Sequence, residues 1–130
     1  MDKNTKIADV MTALPHSIGS DQSVAVAKKM LHEYRIRHLP VREGGNLIGI
    51  VSERDLWFAL KDEKTEPEQL KIKDVFTPEP YSVTPETTVV EVAHAMAEQG
   101  IGCVLVVQQG QLVGIFTTVD ACRLLGQVLS

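Results

Sequence analysis

Hydrophobic positions along the chain change their spacing in a set order, and that order occurs twice. Val24, Ala27, Leu31 and Tyr34 recur at helical spacing while Lys28, Lys29, His32 and Glu33 lie mostly outside the stripe. A helix is therefore predicted from Ser20 or Asp21 to just before Ile36. Residues 37–42 read as a strand, Glu43-Gly44-Gly45-Asn46 as a hairpin turn, and residues 47–52 as the returning strand. A second helix is predicted from Glu53 to about Leu60. Ahead of these, residues 7–12 form a short helical lead-in closed by Leu14-Pro15, and His16-Ser17-Ile18 a brief strand. Residues 61–71, charged and broken by Pro67, read as a solvated linker. The order then returns: a lead-in at 72–77, a strand at 81–83, and a helix at 86–99 carrying Val89, Val92, Ala93 and Met96 and closed by Gly100. Strands at 103–108 and 112–117 flank Gln109-Gly110-Gln111, and a last helix runs from Val119 to about Val128.

The return is residue by residue. Shifting the chain by 65 positions aligns Ile7, Asp9, Val10, Thr12, Pro15, Ser17, Val24, Ile36, Val41, Gly45, Leu47 and Leu60 with Ile72, Asp74, Val75, Thr77, Pro80, Ser82, Val89, Ile101, Val106, Gly110, Leu112 and Leu125, without a gap. Gly49-Ile50-Val51-Ser52-Glu53-Arg54-Asp55 returns in the same shift as Gly114-Ile115-Phe116-Thr117-Thr118-Val119-Asp120. Units of about 60 residues bury a marginal fraction of their surface, so the two halves are expected to fold against each other. The expected division is 7–62 and 72–130, joined by a charged linker at 63–71.

The repeated corner carries the candidate chemistry. Ser52 and Thr117 stand where an N-cap hydroxyl belongs, and Asp55 and Asp120 fall in the first helical turn. A strand-to-helix corner presents backbone N–H groups to an anion, and its carboxylate can accept from the two hydroxyls of a sugar. A nucleotide presents that pairing. Without a ligand the same residues are helix caps worth about 0.5–2 kcal/mol.

Composition narrows the field. The chain has 130 residues, 44% hydrophobic and 23% charged, which describes an ordinary globular domain. A formal charge of −4 and a pI near 5.5 argue against nucleic acid as the main partner. Neither a membrane-length apolar run nor an apolar signal core is present, so a cytoplasmic location and no membrane partner are expected. Cys103 and Cys122 lie in no CxxC, and His16, His32, His38 and His94 lack metal-ligand spacing.

A β-α-β-β-α unit occurring twice, with Ile36-Arg37-His38-Leu39-Pro40-Val41, the lead-in Asp9-Val10-Met11-Thr12 and Gly-apolar-apolar-Ser/Thr-x-x-Asp, resembles the CBS domain, named after cystathionine β-synthase. The resemblance covers nearly the whole chain. It implies an α/β (α+β) fold of two pseudo-twofold-related units packed sheet to sheet as one module, often called a Bateman module. It further implies binding of AMP, ADP, ATP or S-adenosylmethionine in clefts between the units, with no required cofactor. Such a module regulates another protein, here unidentified, and pairs through its helices as a homodimer.

Carried over by position, one cleft would combine Ile50, Ser52, Arg54 and Asp55 with Tyr81, Ile101, Gly102, Cys103, Val104 and Leu105. The other would combine Ile115, Thr117, Val119 and Asp120 with His16, Ile36, Arg37, His38, Leu39 and Pro40. Asp55 and Asp120 would take the ribose hydroxyls, Ser52 and Thr117 a phosphate or ribose oxygen, and the aliphatic side chains the adenine. Arg54 is the phosphate partner of the first cleft, and Arg37 and His38 are the cations near the second. Leu105 replaces the proline seen at Pro40, and Val119 stands where Arg54 stands. Trp57 is either core or an interface anchor. No nucleophile with a base, metal cluster or paired acids supports an enzyme, so the rival reading is a ligand-independent dimerisation scaffold.

Overall fold

A computed structural model describes residues 1–130. Two compact units divide the chain, residues 16–80 forming one and residues 1–15 with 81–130 the other. The fold is mixed α+β, with two four-stranded sheets and four helices.

In the unit of residues 16–80, β2 (Ile18–Gly19), β3 (His38–Glu43), β4 (Asn46–Ser52) and β5 (Thr77–Pro78) lie in that order, β2 parallel to β3 and the other neighbours antiparallel. Helices α1 (Val24–Tyr34) and α2 (Glu53–Ala59) complete it. Ile18, Val24, Ala27, Leu31, Leu39, Val41, Val51, Leu56 and Ile72 form its core.

The other unit repeats the plan, with sheet order β1 (Thr12–Ala13), β8 (Gln111–Thr117), β7 (Cys103–Gln108) and β6 (Ser82–Val83). Its helices are α3 (Val89–Gln99) and α4 (Thr118–Leu129), and Ile7, Val92, Val104, Val106 and Phe116 form its core. The register repeats as well. His38 faces Ser52 as Cys103 faces Thr117, and Thr77 pairs with Ile50 as Thr12 pairs with Ile115.

These compact units are not the sequence repeats. The lead-in of each repeat belongs to the other repeat's unit: β5 pairs with β4, and β1 with β8. Residues 67–71 are likewise more than a solvated linker. The carbonyls of Leu70 and Pro67 accept from the N–H groups of Val24 and Ala25 at 2.7 and 3.1 Å, satisfying donors that a helix start leaves open.

This contact also moves the helix starts. The N–H groups of Ile72 and Lys73 donate to the carbonyls of Gln22 and Ser20, holding residues 20–22 out of helical geometry. Helix α1 therefore begins at Val24, capped by Ser23, and not at 20 or 21. In the second repeat Ile7 and Ala8 donate to Thr87 and Pro85, and α3 begins at Val89, capped by Thr88, and not at 86. The strand predicted at 16–18 is displaced to Ile18–Gly19, and the one predicted at 81–83 shortens to Ser82–Val83. Gly100 does close α3, in the left-handed conformation with φ 66°.

Candidate functional site

Each unit builds one hydroxyl–carboxylate corner from its antiparallel hairpin and the helix that follows. At Asp55 both halves of a capping box are present: the N–H of Asp55 donates to Ser52 Oγ at 3.1 Å, and the N–H of Ser52 to Asp55 Oδ2 at 2.9 Å. At Asp120 the equivalent bonds measure 3.3 and 2.9 Å, and the Thr117 hydroxyl also donates to Oδ2 at 3.1 Å. The first N–H of each helix is used too, that of Glu53 donating to Arg37 O and that of Thr118 to Gly102 O. Of the four donors that a helix start leaves open, only the N–H of Arg54 in one unit and of Val119 in the other stays available. The corners therefore offer an anion less than an uncapped helix would.

Three residues at these corners escaped sequence reasoning. Thr77 Oγ1 donates to both Asp55 oxygens at 3.3 and 3.4 Å, and Thr12 Oγ1 donates to Asp120 Oδ1 at 3.4 Å. Both threonines sit on the exchanged lead-in strands, and their recurrence 65 residues apart was the available signal. Arg123 donates to Asp120 Oδ1 at 3.2 Å, the contact expected of residues three apart on a helix.

The corners are electrostatically unlike. Burial pushes the pKa of His38 below the ordinary histidine value, although the neighbouring Asp55 carboxylate acts against the shift. His38 is therefore a neutral imidazole near neutral pH and not the cation expected of it. Its counterpart Cys103 is pushed up to about 12 by burial and then by Asp120, so it stays an unreactive thiol. Arg54 is exposed and makes no ion pair.

Within residues 16–80, Ile50, Ser52, Arg54 and Asp55 share a unit with His16, Ile36, Arg37, His38, Leu39 and Pro40; Leu39 and Pro40 are buried. Within the other unit, Ile115, Thr117, Val119 and Asp120 share theirs with Tyr81, Ile101, Gly102, Cys103, Val104 and Leu105; Val104 and Leu105 are buried. His16 lies outside any strand and stacks on Tyr34 with ring centroids 3.7 Å apart. A hollow of about 1120 Å³ beside α1 and α2 includes Ile36, Arg37 and Trp57 but neither Ser52 nor Asp55. Trp57 is 64% exposed and is not core.

A family model for the CBS domain matches residues 7–56 and 72–127. The chain belongs to the CBS domain family. Both CBS matches contain their own Ser/Thr-x-x-Asp start. Inosine-5′-monophosphate dehydrogenase of Korarchaeum cryptofilum is 37% identical over 88% of this chain. A solved CBS domain pair of protein MJ0100, in complex with 5′-methylthioadenosine and S-adenosyl-L-methionine, superposes with a TM-score of 0.85 at 30% identity, covering 95% of this chain and 98% of that one. CBSX2 in complex with AMP gives 0.80 at 28%, covering 97% and 99%. The chain spans 22%, 25% and 44% of the length of the first curated relatives it matches, so relatives named as enzymes carry the CBS segment as part of a longer protein. No helix is long and apolar enough to cross a membrane.

Proposed function

We propose that the chain is a regulatory module that binds an adenosine-containing ligand, AMP, ADP, ATP or S-adenosylmethionine, and relays its occupancy to a protein partner. The observation that carries this reading is the pair of equivalent, hydrogen-bonded Asp55 and Asp120 corners in a CBS pair whose relatives hold 5′-methylthioadenosine with S-adenosylmethionine, or AMP. Adenine on a ribose ring with its 2′,3′-diol is the part those ligands share. Asp55 and Asp120 accept from the ribose diol, Ser52 and Thr117 reach a ribose or phosphate oxygen, and Ile50 and Ile115 with the aliphatic strand residues hold the base. The grouping of Asp55 with Tyr81 and residues 101–105, and of Asp120 with His16 and residues 36–40, is proposed from the family pattern. Arg54, exposed and unpaired, is the phosphate partner on the Asp55 side.

Binding suffices for this role, and no resident cofactor enters it. Self-association as a homodimer is proposed through apolar helix faces that stay exposed, Trp57 and Phe58 on α2 and Leu125, Val128 and Leu129 on α4. One observation favours a ligand-independent scaffold: both carboxylates already serve complete capping boxes. A thermal-shift series with AMP, ADP, ATP, S-adenosylmethionine and NAD decides between the readings, with product analysis to detect turnover. A ligand at 100 times its Kd stabilises the native state by about 2.7 kcal/mol, so adenosine ligands should raise Tm with concentration. A scaffold gives no rise with any of them.

A further inference from the structure

The two carboxylates differ in what already holds them. Asp55 accepts from the Ser52 N–H and the Thr77 hydroxyl, with no cation in ion-pair contact. Asp120 accepts from four donors: Thr117 N–H and hydroxyl on Oδ2, and Thr12 hydroxyl with Arg123 Nη1 on Oδ1. A carboxylate has about four lone-pair sites, so Asp120 is full. Its side chain is 11% exposed, while that of Arg123 is 62% exposed.

A ribose diol needs acceptor sites on this carboxylate. The Thr117 N–H belongs to the capping box, and the hydroxyls of Thr117 and Thr12 stand on residues held in place, Thr117 by that box and Thr12 on β1, paired with Ile115. Arg123 is the charged donor and the one whose whole side chain can swing away, because it is long and exposed and such ion pairs hold weakly. We infer that Arg123 sets ligand selectivity at Asp120, exchanging its contact with Oδ1 for the ribose hydroxyls and taking an anionic group of the ligand in return. A phosphate offers the guanidinium a two-oxygen partner, whereas a neutral nucleoside displaces it and returns nothing. The Asp120 corner therefore prefers phosphorylated adenosine ligands over neutral ones. Arg123 also supplies, one helical turn later, the charge that Val119 lacks. The Asp55 corner has Phe58 at the equivalent place and carries no such gate.

This inference rests on the nucleotide reading above, and its test separates the two. Adenosine and AMP are titrated calorimetrically into an Asp55→Asn chain, alone and with Arg123→Ala, Arg123→Gln or Arg123→Lys added. Arg123→Ala and Arg123→Gln should tighten adenosine about twofold to fivefold, the worth of an exposed ion pair, and weaken AMP about tenfold, as expected for a lost charge-assisted contact. Arg123→Lys should lie between, and Tm should stay near the parent's throughout. Parallel changes for both ligands, or none, overturn the Arg123 role and leave the nucleotide reading standing. Failure of both ligands to bind the wild-type chain at millimolar concentration overturns the nucleotide reading and the Arg123 role with it.

Discussion

Replacing Gly49 by alanine should damage the first unit more than replacing Gly114 by alanine damages the second, although the two glycines are equivalent in the repeat. A Cβ at Gly49 would lie 2.4 Å from the Thr77 carbonyl oxygen and 2.4 Å from Phe76 Cδ2. At Gly114 it would lie 2.2 Å from Met11 Sδ and 2.9 Å from Met11 Cε and Cγ. The first clash is with backbone of the paired strand β5 and with an aromatic ring, so strand and ring must move together. The second is with an unbranched thioether that can change rotamer. Overpacking of the first kind costs about 1–3 kcal/mol, offset by about 0.4–1 kcal/mol from the stiffer unfolded chain. For Gly114→Ala the offset leaves a net effect within about 1 kcal/mol of zero. At about 3–5 °C per kcal/mol for this size, Tm should fall by roughly 2–10 °C for Gly49→Ala and by less than about 5 °C for Gly114→Ala. Scanning calorimetry of the three chains measures both. Equal losses, or a larger loss for Gly114→Ala, would refute the assignment of the glycines to close approach of the exchanged strands.

The exchange itself predicts that a fragment of residues 16–80 folds better than one of residues 1–64, because only the former keeps Ile72, Phe76 and β5; equal far-UV circular dichroism and equal melting would contradict it. Stability should carry the signature of His38. Its folded pKa lies below the unfolded value near 6.5, so the unfolded chain binds more protons just below that pH. Stability then rises with pH up to about 6.5 and levels off, and His38→Gln should flatten that rise in Tm measured between about pH 5 and 7. In the native chain a thiol reagent at pH 8 should modify exposed Cys122 quickly and Cys103 slowly, and comparable rates in the Cys103→Ser and Cys122→Ser variants would count against the protected thiol.

Much of this was legible in residue spacing, for identifiable reasons. The hairpins were, because the short apolar runs are bounded by Gly44-Gly45 and Gly110, whose positive φ the turns use. The capping-box corners were, because a hydroxyl and an acid three residues apart act locally. Helix starts were misplaced by about three residues, since the 20–22 and 85–87 segments bond to lead-ins far away in sequence. The exchange of lead-ins was hidden for the same reason: a repeat aligns equally well whether its first strand pairs at home or away. Trp57 could not be resolved from spacing, because exposure depends on what covers a helix. Arg123 aligned with Phe58, so the repeat gave no sign of it.

Asp55 and Asp120 are proposed to hold the ribose of an adenosine ligand. Their alanine variants would also remove caps, so asparagine is the substitution of choice, keeping an oxygen for the Ser52 or Thr117 N–H while losing the charge. Titration calorimetry of AMP into the wild type, Asp55→Asn, Asp120→Asn and the double variant is the most direct measurement. Each single variant should weaken binding at its own corner by about 1–3 kcal/mol, and the double variant should show no saturable heat at millimolar AMP while melting as a folded chain. A folded double variant that binds AMP as the wild type does would contradict the assignment.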